Sequence, residues 1–105
     1  MELIKVAGTS RTAAVAGAIA GIIREKQQVD VQAIGAGAVN QAVKALILAM
    51  SYLREDGIQV VFVPEYTDVL IEDRVRTAIK LVIKTRAVPN SPSDDLSNSS
   101  GEDLS

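Results

Sequence analysis

Gly35 and Gly37 stand between the short apolar run VDVQAI and a long helical pattern. Backbone amides at the start of a helix can hold an anion there, with Asn40 and Gln41 in the first turn as side-chain donors. A dinucleotide fingerprint requires a third glycine, and Asn40 occupies its place. The nearest acids, Glu55 and Asp56, fall where the helix ends rather than after a following strand. No Gly-Lys-Ser/Thr sequence is present either. The pair therefore reads first as a tight turn into a helix, with a lone phosphate as the remaining candidate ligand.

A second group is cationic. In RVRTAIKLVIKTR, Val75, Thr77, Ile79, Leu81 and Ile83 share one strand parity, and Arg74, Arg76, Lys80, Lys84 and Arg86 share the other. Alternation places those five cations on one side of a sheet, with Lys5 as a candidate sixth. Such a strip can follow phosphates or simply keep an exposed face soluble. The acids Glu65, Asp68, Glu72 and Asp73 invite a divalent-metal reading, but their pattern equally describes a solvated hairpin, and no metal is expected. Thr67 and Asp68 are expected to form a turn or to orient the hairpin arm. Tyr52, Phe62 and Tyr66 are the only aromatics, so base stacking is not expected and nucleic-acid contact would be to the backbone. Histidine and cysteine are both absent, which removes the commonest general base, thiolate chemistry and the usual zinc ligands. No enzyme and no cofactor are expected.

The elements that must position these groups are set by periodicity. Residues 2–8 alternate as a first strand, and Ser10 or Thr12 is the expected cap of the next helix. Within that helix Gly17 and Gly21 are expected to permit close packing on the sheet. VDVQAI is a second strand. A helix over about 38–55 presents Val39, Val43, Leu46, Met50 and Leu53 as its core face. Ile47 and Leu48 fall off that face and suggest a second packing surface, hence a dimer. IQVVFV has the all-apolar character of a central or interface strand. Pro64 makes PEYTDVLI an edge, a bulge or a projecting arm. The order is βαβαββ, an α+β two-layer sandwich with two helices on one face of a four-stranded mixed sheet.

All 11 Lys and Arg lie at or before Arg86, against nine of the 13 acids, so residues 1–86 carry +2 and residues 87–105 carry −4. The latter, AVPNSPSDDLSNSSGEDLS, has too little apolar area to fold alone and is expected to be a disordered tail. It repeats an acid-acid-Leu-Ser element as DDLS and EDLS, a candidate bivalent docking motif or pair of phosphorylatable serines, or a tail that folds back on the basic strip and competes with nucleic acid. The longest apolar run, residues 13–23, is shorter than the roughly 20 residues of a membrane span. No signal sequence is visible after Met1, so a soluble, cytoplasmic protein is expected.

The blocks QAIGAGAVNQAVKA, PEYTDV and RTAIKLVI, with VAGAIAGIIRE before them, resemble the stage V sporulation protein S family over residues 1–86. That family is similar in fold to Alba, a small archaeal chromatin and RNA-binding protein. The resemblance implies an Alba-like fold, a dimer and contact with DNA or RNA. Contact would come through the loop into the first helix, the start of the second, and the arm between the last two strands. Gly8 and Thr9 stand where Alba carries loop lysines, leaving Arg11 as the nearby cation; helix two offers Lys44, and the arm Arg74 and Arg76. The expectation is a non-enzymatic, oligomeric nucleic-acid-binding regulator, with sporulation as the implied process. Its sites would be Arg11, Lys44, Arg74, Arg76, Lys80, Lys84 and Arg86, with Gly35, Gly37, Asn40 and Gln41 shaping the helix entrance. The alternative is a protein-interaction module using the arm and the acidic tail.

Overall fold

Alternating and helical patterns resolve, in the computed structural model, into β1 (Leu3–Val6), α1 (Thr12–Lys26), β2 (Gln28–Ala33), α2 (Ala36–Arg54), β3 (Val60–Ile71) and β4 (Arg74–Thr85). The structure describes residues 2–86; the DDLS and EDLS elements lie outside the described residues. The sheet order is β1-β2-β4-β3. β1 and β2 are parallel, β4 is antiparallel to both of its neighbours, and the sheet is therefore mixed, as expected.

The length of β4 decides the shape. It pairs with β2 only from Ile79 to Lys84, but with β3 from Arg74 to Thr85. The part of the hairpin beyond Ile79 consequently runs past the end of the sheet as a two-stranded arm. Its tip is a two-residue turn in which Glu72 and Asp73 both have positive φ, 50° and 65°, the conformation that matches strand twist in a hairpin. Pro64 does not interrupt β3. β3 is an edge strand, where a proline sacrifices no ladder bond if its nitrogen faces outward. The central position that its apolar run suggests is thus corrected to an edge.

The core lies between the helices and one sheet face. Ile19 and Ile23 of α1, Val29 and Val31 of β2, Leu46 and Leu53 of α2, and Leu81 and Ile83 of β4 are its large buried members. The expected core face of α2 is only partly right. Ala38, Ala42, Ala45 and Ala49 are buried with Leu46 and Leu53, whereas Met50 is exposed and Val39 and Val43 are half-buried. Small side chains let α2 lie close to its neighbours, and that turns the adjacent stripe of larger aliphatics outward. Ile47, 62% exposed, belongs to this outer stripe, while Leu48 packs on the core instead. Gly17 and Gly21 also depart from expectation, since a side chain at either would meet open space rather than the sheet.

The cap of α1 differs as well. Arg11 occupies the N-cap without a side-chain bond. The Ser10 hydroxyl instead accepts from the Ala7 amide at 2.9 Å and closes the β1–α1 turn. At the other end, an ion pair of 2.7 Å between Arg24 and Asp56 ties α1 to the loop after α2.

Close seating of α2 makes a direct prediction. Ala42→Leu overfills a fully buried position and is expected to lower stability by about 1–3 kcal/mol in urea unfolding. The same exchange at exposed Ala14 should stay within about 0.5 kcal/mol of the parent.

Candidate nucleic-acid interface

Parallel pairing of β1 with β2 puts the entrances of both helices at one end of the sheet, the end from which the arm projects. Three observations fix this region. The Gly8 and Gly37 backbones lie near each other, and a side-chain carbon at Gly8 would sit 3.7 Å from the Gly37 carbonyl carbon, in ordinary van der Waals contact. The Gln41 side-chain amide donates to the Ser10 carbonyl oxygen at 2.8 Å and to the Thr12 hydroxyl at 3.2 Å. Gly35 precedes α2 at φ 91°, ψ 157°, a backbone state open essentially to glycine alone. Gly35 is thus explained by turn geometry, whereas a side-chain carbon at Gly37 would meet only ordinary contact, 3.7 Å from the Gly8 Cα. Gln41 spends its donors on holding the loop into α1 rather than facing outward. Asn40 is exposed and lines a cleft of about 610 Å³ with Gly35, Val39, Val43, Tyr66 and Thr77.

Strand register sorts the charges of the arm. Partners across the hairpin share a face, so Arg76 lies with Val69 and Arg74 with Ile71, on the side of the sheet away from the helices. Asp68 pairs with Thr77 on the opposite side, where the Thr77 hydroxyl donates to it at 3.5 Å. Thr67 and Asp68 are therefore arm residues within β3, not a turn. A groove of about 590 Å³ at the root of the arm is lined by Lys5, Gly8, Gln32, Val69, Leu70 and Ile71 among others, Val69 and Ile71 being the cross-strand partners of Arg76 and Arg74. Lys5 joins the cations of the open face here. Arg11 is exposed in the loop at the same end, and Lys44 lies about 12 Å along α2 from its first residue, at 1.5 Å per residue.

The five-cation strip on β4 holds by parity but not as a continuous surface. Lys80 lies 3.4 Å from Glu65, directly across on β3, and 4.0 Å from Asp30 on β2. Its side chain is 27% exposed and that of Asp30 only 13%. A lysine held between two carboxylates presents little net charge to a phosphate. Arg74 and Arg76 thus stand at the arm end, while Lys84 and Arg86 stand at the other, about 26 Å away from Arg76 to Lys84 at 3.3 Å per residue. The strip is split in two.

The acids do not assemble into a metal site. Glu65 is engaged with Lys80, Asp68 faces the other side of the arm, and Glu72 and Asp73 form the turn. No cluster of three or more potential metal ligands occurs among the described residues. By length and composition α2 would pass for a membrane span. Its buried alanine row makes it the core helix of a two-layer fold.

Two comparisons bear on this geometry. A family model described as stage V sporulation protein S (SpoVS) matches residues 2–86. Alba from Thermoplasma volcanium is similar in structure, with a TM-score of 0.55 at 14% identity, over 82% of this chain and 100% of that one. At that identity the likeness concerns the fold, and it agrees with the βαβαββ order found here.

The half-buried charges give a test. One oxygen of Asp30 is fully buried without a hydrogen-bond partner, so Lys80 is its compensating charge. Lys80→Met should destabilise the chain by about 1–3 kcal/mol in urea unfolding. Replacing both partners, Asp30→Val with Lys80→Met, should recover most of that loss.

Proposed function

The chain belongs to the stage V sporulation protein S family, and on that footing we propose that it is a non-enzymatic regulator that binds the DNA or RNA backbone as an oligomer. The observation that carries this reading is the sorting of charge on the arm. Pleating puts Arg74 and Arg76 on the same face as their cross-strand partners Ile71 and Val69, which line a groove with Lys5; it turns Asp68 to the other face and leaves Glu65 paired with Lys80. Arg11 and the free amides at the start of α2 stand at the same end, where an anion is favoured without further side-chain help. With aromatic side chains outside this groove, recognition rests on phosphate charge and groove shape, and it is steeply salt-dependent. Lys84 and Arg86 form a separate, secondary site. A role in sporulation or development is the process that this family membership supports, and the cytoplasm is the location we propose for it.

Oligomerisation is carried by the other unpartnered surface. Half-buried Val39 and Val43 of α2 line one cleft with Tyr66, and Ile47 of α2 and Phe62, on the helix-side face of β3, are exposed. Tyr66 is 80% exposed, and β3 has no strand beyond it among the described residues. A second copy of the chain covers this surface in our reading, pairing two apolar faces and placing two arms on one assembly.

Two measurements check the two parts. Titration of labelled duplex DNA, single-stranded DNA and RNA across a salt series should show affinity falling steeply with salt. Arg74→Ala with Arg76→Ala should weaken binding and reduce the slope of log affinity against log salt by about one for each lost phosphate contact. An absence of binding to all three at low salt would refute the reading. Separately, sedimentation should show a dimer for the parent chain and a monomer for Ile47→Glu, with the helical content unchanged.

A further inference from the structure

At the opposite end of β4 from the arm, a groove of about 420 Å³ is lined by Met50, Arg54, Ile58, Gln59, Val60 and Arg86. Met50, Ile58 and Val60 give it an apolar floor, and the two guanidinium groups give it a cationic rim. Among the described residues, the ion pairs are Arg24–Asp56, Lys26–Glu2 and those of Lys80; neither Arg54 nor Arg86 takes part in one. The Arg86 amide donates to the Gln59 carbonyl oxygen at 2.8 Å, which fixes the last described residue in the wall of the groove. Residue 87 is therefore joined to the chain at this groove.

The sequence beyond Arg86 is complementary to the groove in chemistry. Residues 87–105 carry no cation and four acids, arranged as Asp94-Asp95-Leu96-Ser97 and Glu102-Asp103-Leu104-Ser105. Each element sets two carboxylates directly before one leucine. Leu96 is ten residues beyond Arg86, and ten residues can reach at most about 35 Å, so a return to the groove is within the length of the chain. Tethering raises the local concentration of the element, and its repetition offers a second occupant for the same seat.

We propose that this groove is the docking site of the chain's own acid-acid-Leu elements, Leu96 lying on the Met50, Ile58 and Val60 floor while Asp94 and Asp95 meet Arg54 and Arg86. The second element, with Leu104, is the alternate occupant. Docking removes Arg86 from phosphate contact and confines nucleic acid to the arm end of the molecule. The contact itself does not depend on nucleic-acid binding.

Because the chain has no cysteine, a Ser99→Cys variant takes a single nitroxide label between the two elements. In the full chain, the amide signals of Met50, Arg54, Ile58 and Val60 should lose most of their intensity, while those of Leu70 and Val75 in the arm should not. The loss should vanish in high salt, with Leu96→Ala and Leu104→Ala together, and with Arg54→Glu and Arg86→Glu together. Absent or uniform broadening overturns the proposal. A second sample mixes isotope-labelled chains lacking nitroxide with nitroxide-bearing chains lacking isotope. There the groove signals should keep their intensity, and a comparable loss overturns the proposal by assigning the groove to another molecule's tail. Nucleic-acid affinity is not read in this experiment, so its outcome is distinguishable from failure of the functional reading.

Discussion

Close seating of α2 on small side chains is the constraint from which the two surfaces of this molecule arise. Four alanines at helical spacing, Ala38, Ala42, Ala45 and Ala49, are buried. A helix can approach its neighbours closely only where its side chains are small, and interior packing leaves no space for exceptions. With the alanine row inward, the larger aliphatics one position round the helix cannot also be inward. Val43, half-buried, and Ile47 and Met50, exposed, lie outside the alanine row. That placement is therefore a consequence of how the core is filled. It is also the reason an apolar surface remains exposed on this helix.

The unequal pairing of β4 supplies the other half of the design. Six residues of β4 are held by β2, and twelve by β3. The excess forms the arm, and because the arm remains a pleated ribbon it inherits strict alternation of faces. A sequence that looks mixed in charge, with acids and arginines interspersed, becomes two faces of different character. Asp68, Leu70 and Val75 share one, and Arg74 and Arg76 the other. Composition alone would describe this hairpin as acidic. Its register describes one basic face.

Much of this is legible in the sequence wherever period and chain punctuation carry the information. The alternation in RVRTAIKLVIKTR predicts which β4 residues meet the helices, and Leu81 and Ile83 are buried accordingly. The same alternation cannot show where the roof stops, so Val75 and Thr77, expected beneath the helices, are exposed on the arm. For α2 both neighbouring stripes are apolar, and hydrophobicity selects the larger residues where packing selects the smaller. The position of β3 escapes for a related reason: an all-apolar strand is equally the mark of a sheet centre and of an edge awaiting a partner. Ser10 and Gln41 stand out as polar groups near helix entrances, but their partners, the Ala7 amide and the Ser10 carbonyl and Thr12 hydroxyl, are tertiary facts. Glu65 reads as part of an acidic hairpin; only the register shows that it stands across from Lys80.

Lys80 then determines what kind of ligand the open face can take. A continuous row of five cations would attract phosphates along the whole length of β4 and give them no preferred position. Two carboxylates at the middle of the row interrupt it, and an anion bound there would have to displace Glu65 or lie against Asp30, which is largely withdrawn from water. Displacement exposes a buried acid to a second negative charge, which is unfavourable at short range in a medium less polarizable than water. The cations are thereby divided into an arm group beside the helix entrances and a group at the root of the tail. Each has a different neighbour: a concave groove under the arm in one case, an apolar-floored groove in the other. At the first, Lys5 lines the concavity, and Arg74 and Arg76 share a face with Ile71 and Val69 of its wall. At the second, Arg54 and Arg86 line a groove together with Met50, Ile58 and Val60.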